Sequence, residues 1–232
     1  MLTQTAVRTS VPLTRSDPPV AARALSASER EPLAQTMHLM GVVMSYPRNT
    51  EIFGENEAAD YLYKVVSGGV RTYKILRDGR RQIGGFYLPG DIFGLEFADE
   101  HTCSAEAITD AKVLVIKRKA LTALADRNAA VARELFALTA RELRRTQERV
   151  LLLIKSAQER VASFLLEMAE RGLASNVIEL PMSRQDIADY LGLTIETVSR
   201  TLTHLQLSGL IKLTGCRSVQ LRKPHALAEL CA

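Results

Sequence analysis

Cysteine is scarce in this chain. Three residues in 232, Cys103, Cys216 and Cys231, stand far apart, with no C-x-x-C pair and no histidine at metal-ligand spacing. That argues against a disulfide framework and against a structural zinc or iron–sulfur site, and predicts reduced thiols in a cytoplasmic protein. No stretch approaches the roughly twenty apolar residues needed to span a bilayer, and the N-terminus lacks the apolar core of a secretory signal, so no membrane partner is expected. No Ser–His–acid, metal or phosphate-loop constellation is present either, which argues against an enzyme. A strong charge of one sign is also missing. The net charge is +4, and from residue 181 onward six Lys/Arg oppose only four Asp/Glu. Attraction to an anionic partner therefore depends on where charges sit, not on their sum.

What is present falls into segments. Residues 1–24, rich in Thr, Ser, Ala and Pro without a sustained period, read as a flexible arm. SASEREPLAQTM starts a short helix that Ser26 or Ser28 can cap, with Glu29 and Glu31 at its positive end. Residues 25–118 then carry short β-type runs (YLYKVV, GVRTYKIL, RQIGGFYL, AKVLVI) between turn-rich breaks, and Asp78-Gly79 between alternating runs is a hairpin signal. This texture predicts a small antiparallel roll. From 119 to 156 neither Gly nor Pro interrupts a helical pattern. Phe136, Leu143 and Val150 recur every seven residues, with Ala140, Gln147 and Ile154 between them. The expectation is one long dimerisation helix, with Phe136, Leu143, Val150 and Ile154 on its seam. AQERVASFLLEMAERG, ending at Gly172, follows as the first helix of a final domain, 157–232.

That final domain holds the sharpest signals. In MSRQDIADYL, Ser183 precedes Asp186 by three positions, a capping-box variant. A turn of about four residues around Gly192-Leu193 leads into ETVSRTLTHLQ, for which Thr194 is the expected N-cap. Ile195, Val198, Leu202 and Leu205 form one apolar stripe; Glu196, Ser199, Arg200 and Thr203 share the other side. Two β-type runs around Thr214-Gly215-Cys216-Arg217 follow. Helix, turn, helix and wing make a DNA-reading module. Glu196 and Arg200, four apart, could instead close into an ordinary surface salt bridge.

Taken together, a β-roll, a long pairing helix and a winged helix-turn-helix resemble the CRP/FNR superfamily of bacterial transcription regulators, over roughly residues 28–225. The fold class expected is α+β, with an N-terminal cyclic-nucleotide-binding-like roll. SGGVRTYKI and LPGDIFG resemble the glycine-punctuated turns of such rolls. ETVSR, residues 196–200, resembles the recognition helix of the FNR and FixK branch, whose dimers read inverted repeats of TTGA-type half-sites. The resemblance implies a homodimeric, sequence-specific activator that meets double-stranded DNA and RNA polymerase. Arg200 would pair with a guanine, Glu196 would accept from a base amino group, and Ser199 and Ile195 would lie against thymine. Ser183, Arg184, Gln185, Thr194, Thr197, Gly215 and Arg217 would meet phosphates. An acidic group at position 183 is expected to repel the backbone while leaving the fold intact, since Asp caps as well as Ser.

Two departures bear on ligands. Leu95 stands where cyclic-AMP receptors carry a ribose-binding Glu, and Cys103 where they carry a phosphate-binding Arg; no cyclic-AMP binding is expected. Residues 1–60 contain no cysteine for the iron–sulfur cluster of FNR. No cofactor and no metal are expected. The alternative is the same DNA module gated by a small molecule or by haem in the roll, with His101 or Cys103 as ligands.

Overall fold

The computed structural model describes residues 31–96, 98–152, 154–172, 177–215 and 217–231. The arm at 1–24, the caps at Ser26 and Ser28, and Cys216 lie outside them. The order is α1 (Glu31–Met40), β1 (Val42–Tyr46), β2 (Glu51–Phe53), β3 (Tyr61–Ser67), β4 (Val70–Ile75), β5 (Arg81–Tyr87), β6 (Ile92–Phe93), β7 (Ser104–Ala107) and β8 (Ala111–Lys117). Then come α2 (Arg118–Ala125), α3 (Ala129–Leu152), α4 (Ala157–Arg171), β9 (Val177–Glu179), α5 (Arg184–Leu191), α6 (Ile195–Leu207), β10 (Ile211–Leu213), β11 (Ser218–Leu221) and α7 (Pro224–Glu229).

The roll is two four-stranded antiparallel sheets, ordered β1-β8-β3-β6 and β2-β7-β4-β5. Strand alternation sorts the side chains between layers. On β3 and β8, Tyr63, Val65 and Val113 turn towards the second sheet and join Phe53, Val70, Tyr87, Phe93 and Ala105 between the sheets. Their neighbours Leu62, Leu114 and Ile116 face the opposite way, onto Met37 of α1, Leu121 of α2 and Val131 of α3. The hairpin expected at Asp78-Gly79 forms: Gly79, at φ 82°, donates its amide to the Leu76 carbonyl, and the Leu76 amide donates to the Arg80 carbonyl.

The single helix expected over 119–156 is instead two. α2 ends at Ala125 and α3 begins at Ala129. The break needs neither Gly nor Pro, because Asn128 Oδ1 accepts from the amides of Ala130 (3.0 Å) and Val131 (3.4 Å) and so caps a new helix start. α3 also stops at Leu152, which leaves Ile154 in the turn beyond it. Ser156 then opens α4 with the Ser156–Glu159 capping box. α4 ends at Gly172 as expected, but with φ −78° and not in the left-handed region.

In the C-terminal domain α4, α5 and α6 pack with a three-stranded sheet, β10-β11-β9. Its core is not self-contained. Ile83 and Phe86 of β5 and Ile108 of the roll belong to the same apolar cluster as Phe164, Leu165, Ile187, Val198, Leu202 and Leu205. Burying a side chain of Phe86's size contributes about 1.5–3 kcal/mol, so this junction is a substantial part of the fold. Among the described residues no helix is long and apolar enough to cross a membrane.

Candidate nucleic-acid interface

Three residues, Gly192 to Thr194, connect α5 to α6, one fewer than the spacing predicts. Gly192 takes φ 64°, a conformation strained for any residue with a Cβ, and the Leu193 amide donates to the Ala188 carbonyl. Arg160 of α4 closes the turn from behind, donating through Nη1 to the Leu191 carbonyl at 3.0 Å. Thr194 caps α6 as expected, accepting from the Thr197 amide at 3.2 Å. The two threonine hydroxyls lie 3.0 Å apart, so each orients the other.

On α6, Val198, Leu202 and Leu205 are buried, while Glu196, Arg200 and Thr203 are exposed and Ser199 is half-buried. Ile195 departs from the expected stripe. It stands at the first position of the helix with 37% of its surface exposed, on the open end of α6 and outside the core. Glu196 is held below the usual carboxylate range by a hydrogen bond from its own backbone amide, then by the Thr194 side chain, with Arg200's charge the smallest cause. The helix therefore presents an anionic acceptor and, one turn on, a guanidinium. These are complementary in kind to base amino groups and to guanine.

Around the start of α5 the expected phosphate contacts are brought together. Arg184 Nη1 donates to Ser199 Oγ at 3.3 Å, which ties α5 to the polar face of α6. Gln185 is exposed and donates to Asp189 Oδ1 at 2.6 Å. Arg217, in the turn between β10 and β11, donates to the Pro181 carbonyl at 3.2 Å, and its own carbonyl accepts from Leu180. At Gly215 a Cβ would meet nothing within 4 Å, so the wing tip is open.

Ser183 is the site where local reading misses most. The capping box is present, with Ser183 Oγ accepting from the Asp186 amide at 3.1 Å. The hydroxyl also donates to Asp186 Oδ2 at 2.7 Å, and the Ser183 amide donates to that same oxygen at 2.9 Å. Asp186 is buried, and its Oδ1 accepts from Arg71 Nη1 and Arg81 Nη2 of the roll, both at 2.8 Å. Arg71 also donates to Glu106 at 2.9 Å, and Arg81 Nε to Asp189 Oδ2 at 2.9 Å. A carboxylate at position 183 would thus face the Asp186 carboxylate directly, and the expectation that the fold is indifferent to it does not hold. Nothing in the sequence near Ser183 signals partners more than a hundred positions away.

The seam residues of α3 are uncovered in the single chain: Phe136 is 76% exposed, Leu143 and Val150 each 59%, and Ile154, beyond the helix, 86%. Elsewhere on α3, Glu142 accepts from Tyr87 of the roll at 3.1 Å, and the Arg149 guanidinium lies 5.6 Å from the Tyr190 ring centroid of α5. α3 therefore touches both the roll and the C-terminal domain.

In the roll, Leu95 packs against the cluster under α1 and α3. Cys103 is half-buried, and burial, followed by the charge of Glu96, pushes its thiol up to about 11. His101 is buried with its ring stacked on Phe53, centroids 3.6 Å apart at 11°, and its Nδ1 is 3.5 Å from Glu96. Among the described residues no group of three His, Cys, Asp or Glu is placed to hold a metal ion.

A capped, outward-facing second helix, a wing, and a cyclic-nucleotide-binding-type roll define a regulator that meets DNA. Comparison with known proteins agrees in both halves: residues 43–128 match the cyclic nucleotide-binding domain, and 159–230 the Crp-like helix-turn-helix domain. The chain is 48% identical to the nitrogen fixation regulation protein FixK of Azorhizobium caulinodans, covering 90% of this chain and 87% of that one. To the transcriptional activator protein Anr of Pseudomonas protegens it is 37% identical, over 78% and 75%. The solved structure of FixK2 from Bradyrhizobium japonicum superposes with TM-score 0.80 at 51% identity, covering 83% of this chain and 98% of that one. The chain belongs to the CRP/FNR superfamily of transcription regulators, in its FNR/FixK-like branch.

Proposed function

We propose that the protein is a cytoplasmic homodimer that binds a TTGA-type inverted repeat and activates transcription from it, in contact with RNA polymerase. The observation that carries this reading is the polar Glu196–Ser199–Arg200 face, with Glu196 and Arg200 exposed, on a helix whose opposite side is locked into the core. The uncovered stripe Phe136, Leu143 and Val150 on a 24-residue helix supports pairing with a second copy. Two recognition helices would then enter successive major grooves about 34 Å apart. Ile195, Glu196, Ser199 and Arg200 read bases. Ser183, Arg184, Gln185, Thr194, Thr197, Gly215 and Arg217 set the register on the backbone.

We read the roll as working without a cyclic nucleotide. A cyclic phosphodiester does not fit the residues present: Leu95 is apolar, and the charges around the neutral Cys103 thiol are Glu96, Glu55 and Lys74, of which Lys74 already pairs with Glu55 at 2.9 Å. Beside the Cys103 thiol an anion would meet Lys74 only in its pair with Glu55, and would face the Glu96 carboxylate. The stacking of His101 on Phe53 supports a packing role for that ring rather than haem ligation.

Selection of bound sequences from random duplex DNA, using protein purified without added ligand, tests the reading. Recovery of a TTGA-type inverted repeat is expected. Recovery of single half-sites, or of no preferred sequence, would overturn it.

A further inference from the structure

The same local motif occurs twice in this chain under different burdens. At Ser156–Glu159 the capping box is exposed, and its carboxylate serves the helix start alone. At Ser183–Asp186 the carboxylate is buried and shared: one oxygen holds the cap, and the other holds two arginines from the second sheet of the roll. Asp189, one turn on, is shared in the same way. Its Oδ2 accepts from Arg81, its Oδ1 from Gln185, and its backbone carbonyl from Gln82 Nε2 at 2.7 Å. Ser183 and Gln185 are thus each one carboxylate away from an arginine of the roll. Arg184 lies between them and carries the connection on to Ser199 of α6.

We infer that Arg71 and Arg81 are positioning residues for DNA recognition. Acting through Asp186 and Asp189, they fix the first turn of α5, so that Ser183, Arg184 and Gln185 are held in the geometry that meets the phosphate backbone. The inference rests on the DNA reading above. It goes further in assigning to the β4–β5 hairpin of the roll a part in the affinity of a surface on the other domain. Neither arginine needs to touch DNA. A displacement of β5 against α5 moves the cap and Gln185 together, because Asp186, which holds the cap, and Asp189, which holds Gln185, both accept from Arg81.

Arg81 and Asp189 are the pair to test, since Arg71 is the more deeply buried. Full-length Arg81→Gln, Arg81→Lys, Asp189→Asn and the double variant Arg81→Gln/Asp189→Asn would be titrated against the selected operator at several salt concentrations. Amide exchange over 183–186 would be followed in the free proteins. Arg81→Gln is expected to lose about tenfold in operator affinity, with faster exchange over 183–186 and an unchanged salt slope. Arg81→Lys, which keeps the charge but not the fork that spans Asp186 and Asp189, is expected to lose less than Arg81→Gln, about threefold. The double variant should bind no more weakly than Arg81→Gln, because the two residues act in one chain. Wild-type affinity in a folded Arg81→Gln, or full additivity in the double variant, would overturn the inference. So would a salt slope lowered by about one unit, the signature of a lost phosphate contact. Should Arg81→Gln fail to fold, Asp189→Asn alone carries the same expected loss through Gln185, and wild-type affinity there is equally fatal. If the wild-type protein itself binds no inverted repeat, the DNA reading fails first, and independently of any variant.

Discussion

Replacing Ser183 by aspartate places a second carboxylate where a hydroxyl now donates to Asp186 Oδ2 at 2.7 Å. With the charge centres about 4 Å apart and an effective dielectric near 20, the repulsion is about 4 kcal/mol. Arg71 and Arg81, on the far oxygen of Asp186, would offset it by about 2 kcal/mol each at about 8 Å, but they also serve Glu106 and Asp189, whose charges cancel about half of that attraction and leave about 2 kcal/mol of repulsion. The lost hydrogen bond to a charged acceptor adds about 1.5–3 kcal/mol. The sum, about 4 kcal/mol, corresponds to a melting temperature lowered by about 8–16 °C in a chain of this size. Ser183→Asn keeps both a cap acceptor and a donor for Asp186 and should melt within about 4 °C of wild type. The pH dependence has a definite sign. Repulsion by Asp186 raises the folded-state pKa of the new carboxyl, so its penalty is absent below the ordinary value of about 4 and develops as pH rises through the folded value. Thermal melts by circular dichroism on both variants, at neutral pH and near pH 4, should show a gap that narrows on acidification. If Ser183→Asp and Ser183→Asn melt together at neutral pH, the proximity of Asp186 has been misjudged.

Arg200→Ala should cost about 1–3 kcal/mol per half-site and relax preference at one G·C pair, read by competition with substituted operators. Arg184→Ala should weaken all sequences together and lower the salt slope by about one unit. Phe136→Glu combined with Leu143→Glu should convert a dimer to a monomer in sedimentation without unfolding the chain, since both side chains are exposed in the single subunit; a persistent dimer would place the interface elsewhere. Cys103, with its thiol raised to about 11, should alkylate about a hundredfold more slowly at pH 8 than an ordinary thiol of pKa about 8.5, as read by peptide-resolved mass spectrometry. Labelling of Cys103 at the rate of an unfolded peptide would contradict its burial.

Features encoded by near neighbours were legible in the sequence. The Asp78-Gly79 hairpin, the Ser183–Asp186 box, the Thr194 cap and the buried Val198–Leu202–Leu205 stripe each depend on residues within a turn or two of one another. The split between α2 and α3 was locally encoded too, but by Asn128 acting as a cap in a stretch without Gly or Pro, a weaker signal than either breaker. α7, with Pro224 at its first turn, and the three-residue β9 were too short for periodicity to reveal. The pairing of Arg71 with Asp186 belongs to a different class. The partners are 115 positions apart, and nothing in the composition near either one distinguishes a surface charge from a buried junction. The carboxylate looked fully explained by its cap, which hid its second task.

The cluster that takes Ile83, Phe86 and Ile108 from the roll into the interior of the C-terminal domain has a consequence for how such a protein can acquire new targets. Glu196, Ser199 and Arg200, the proposed base readers, lie outside that cluster, so on that proposal promoter choice can drift by exchange of side chains on one helix face while the interior stays untouched. A whole reading head transplanted from a relative would instead bring its own counterparts of Phe164 and Tyr190 against a foreign β5, and its own carboxylates against foreign arginines. The architecture favours repertoire change by repainting one helix face over shuffling of complete modules. The linker at Ser156 joins two halves that must vary as one.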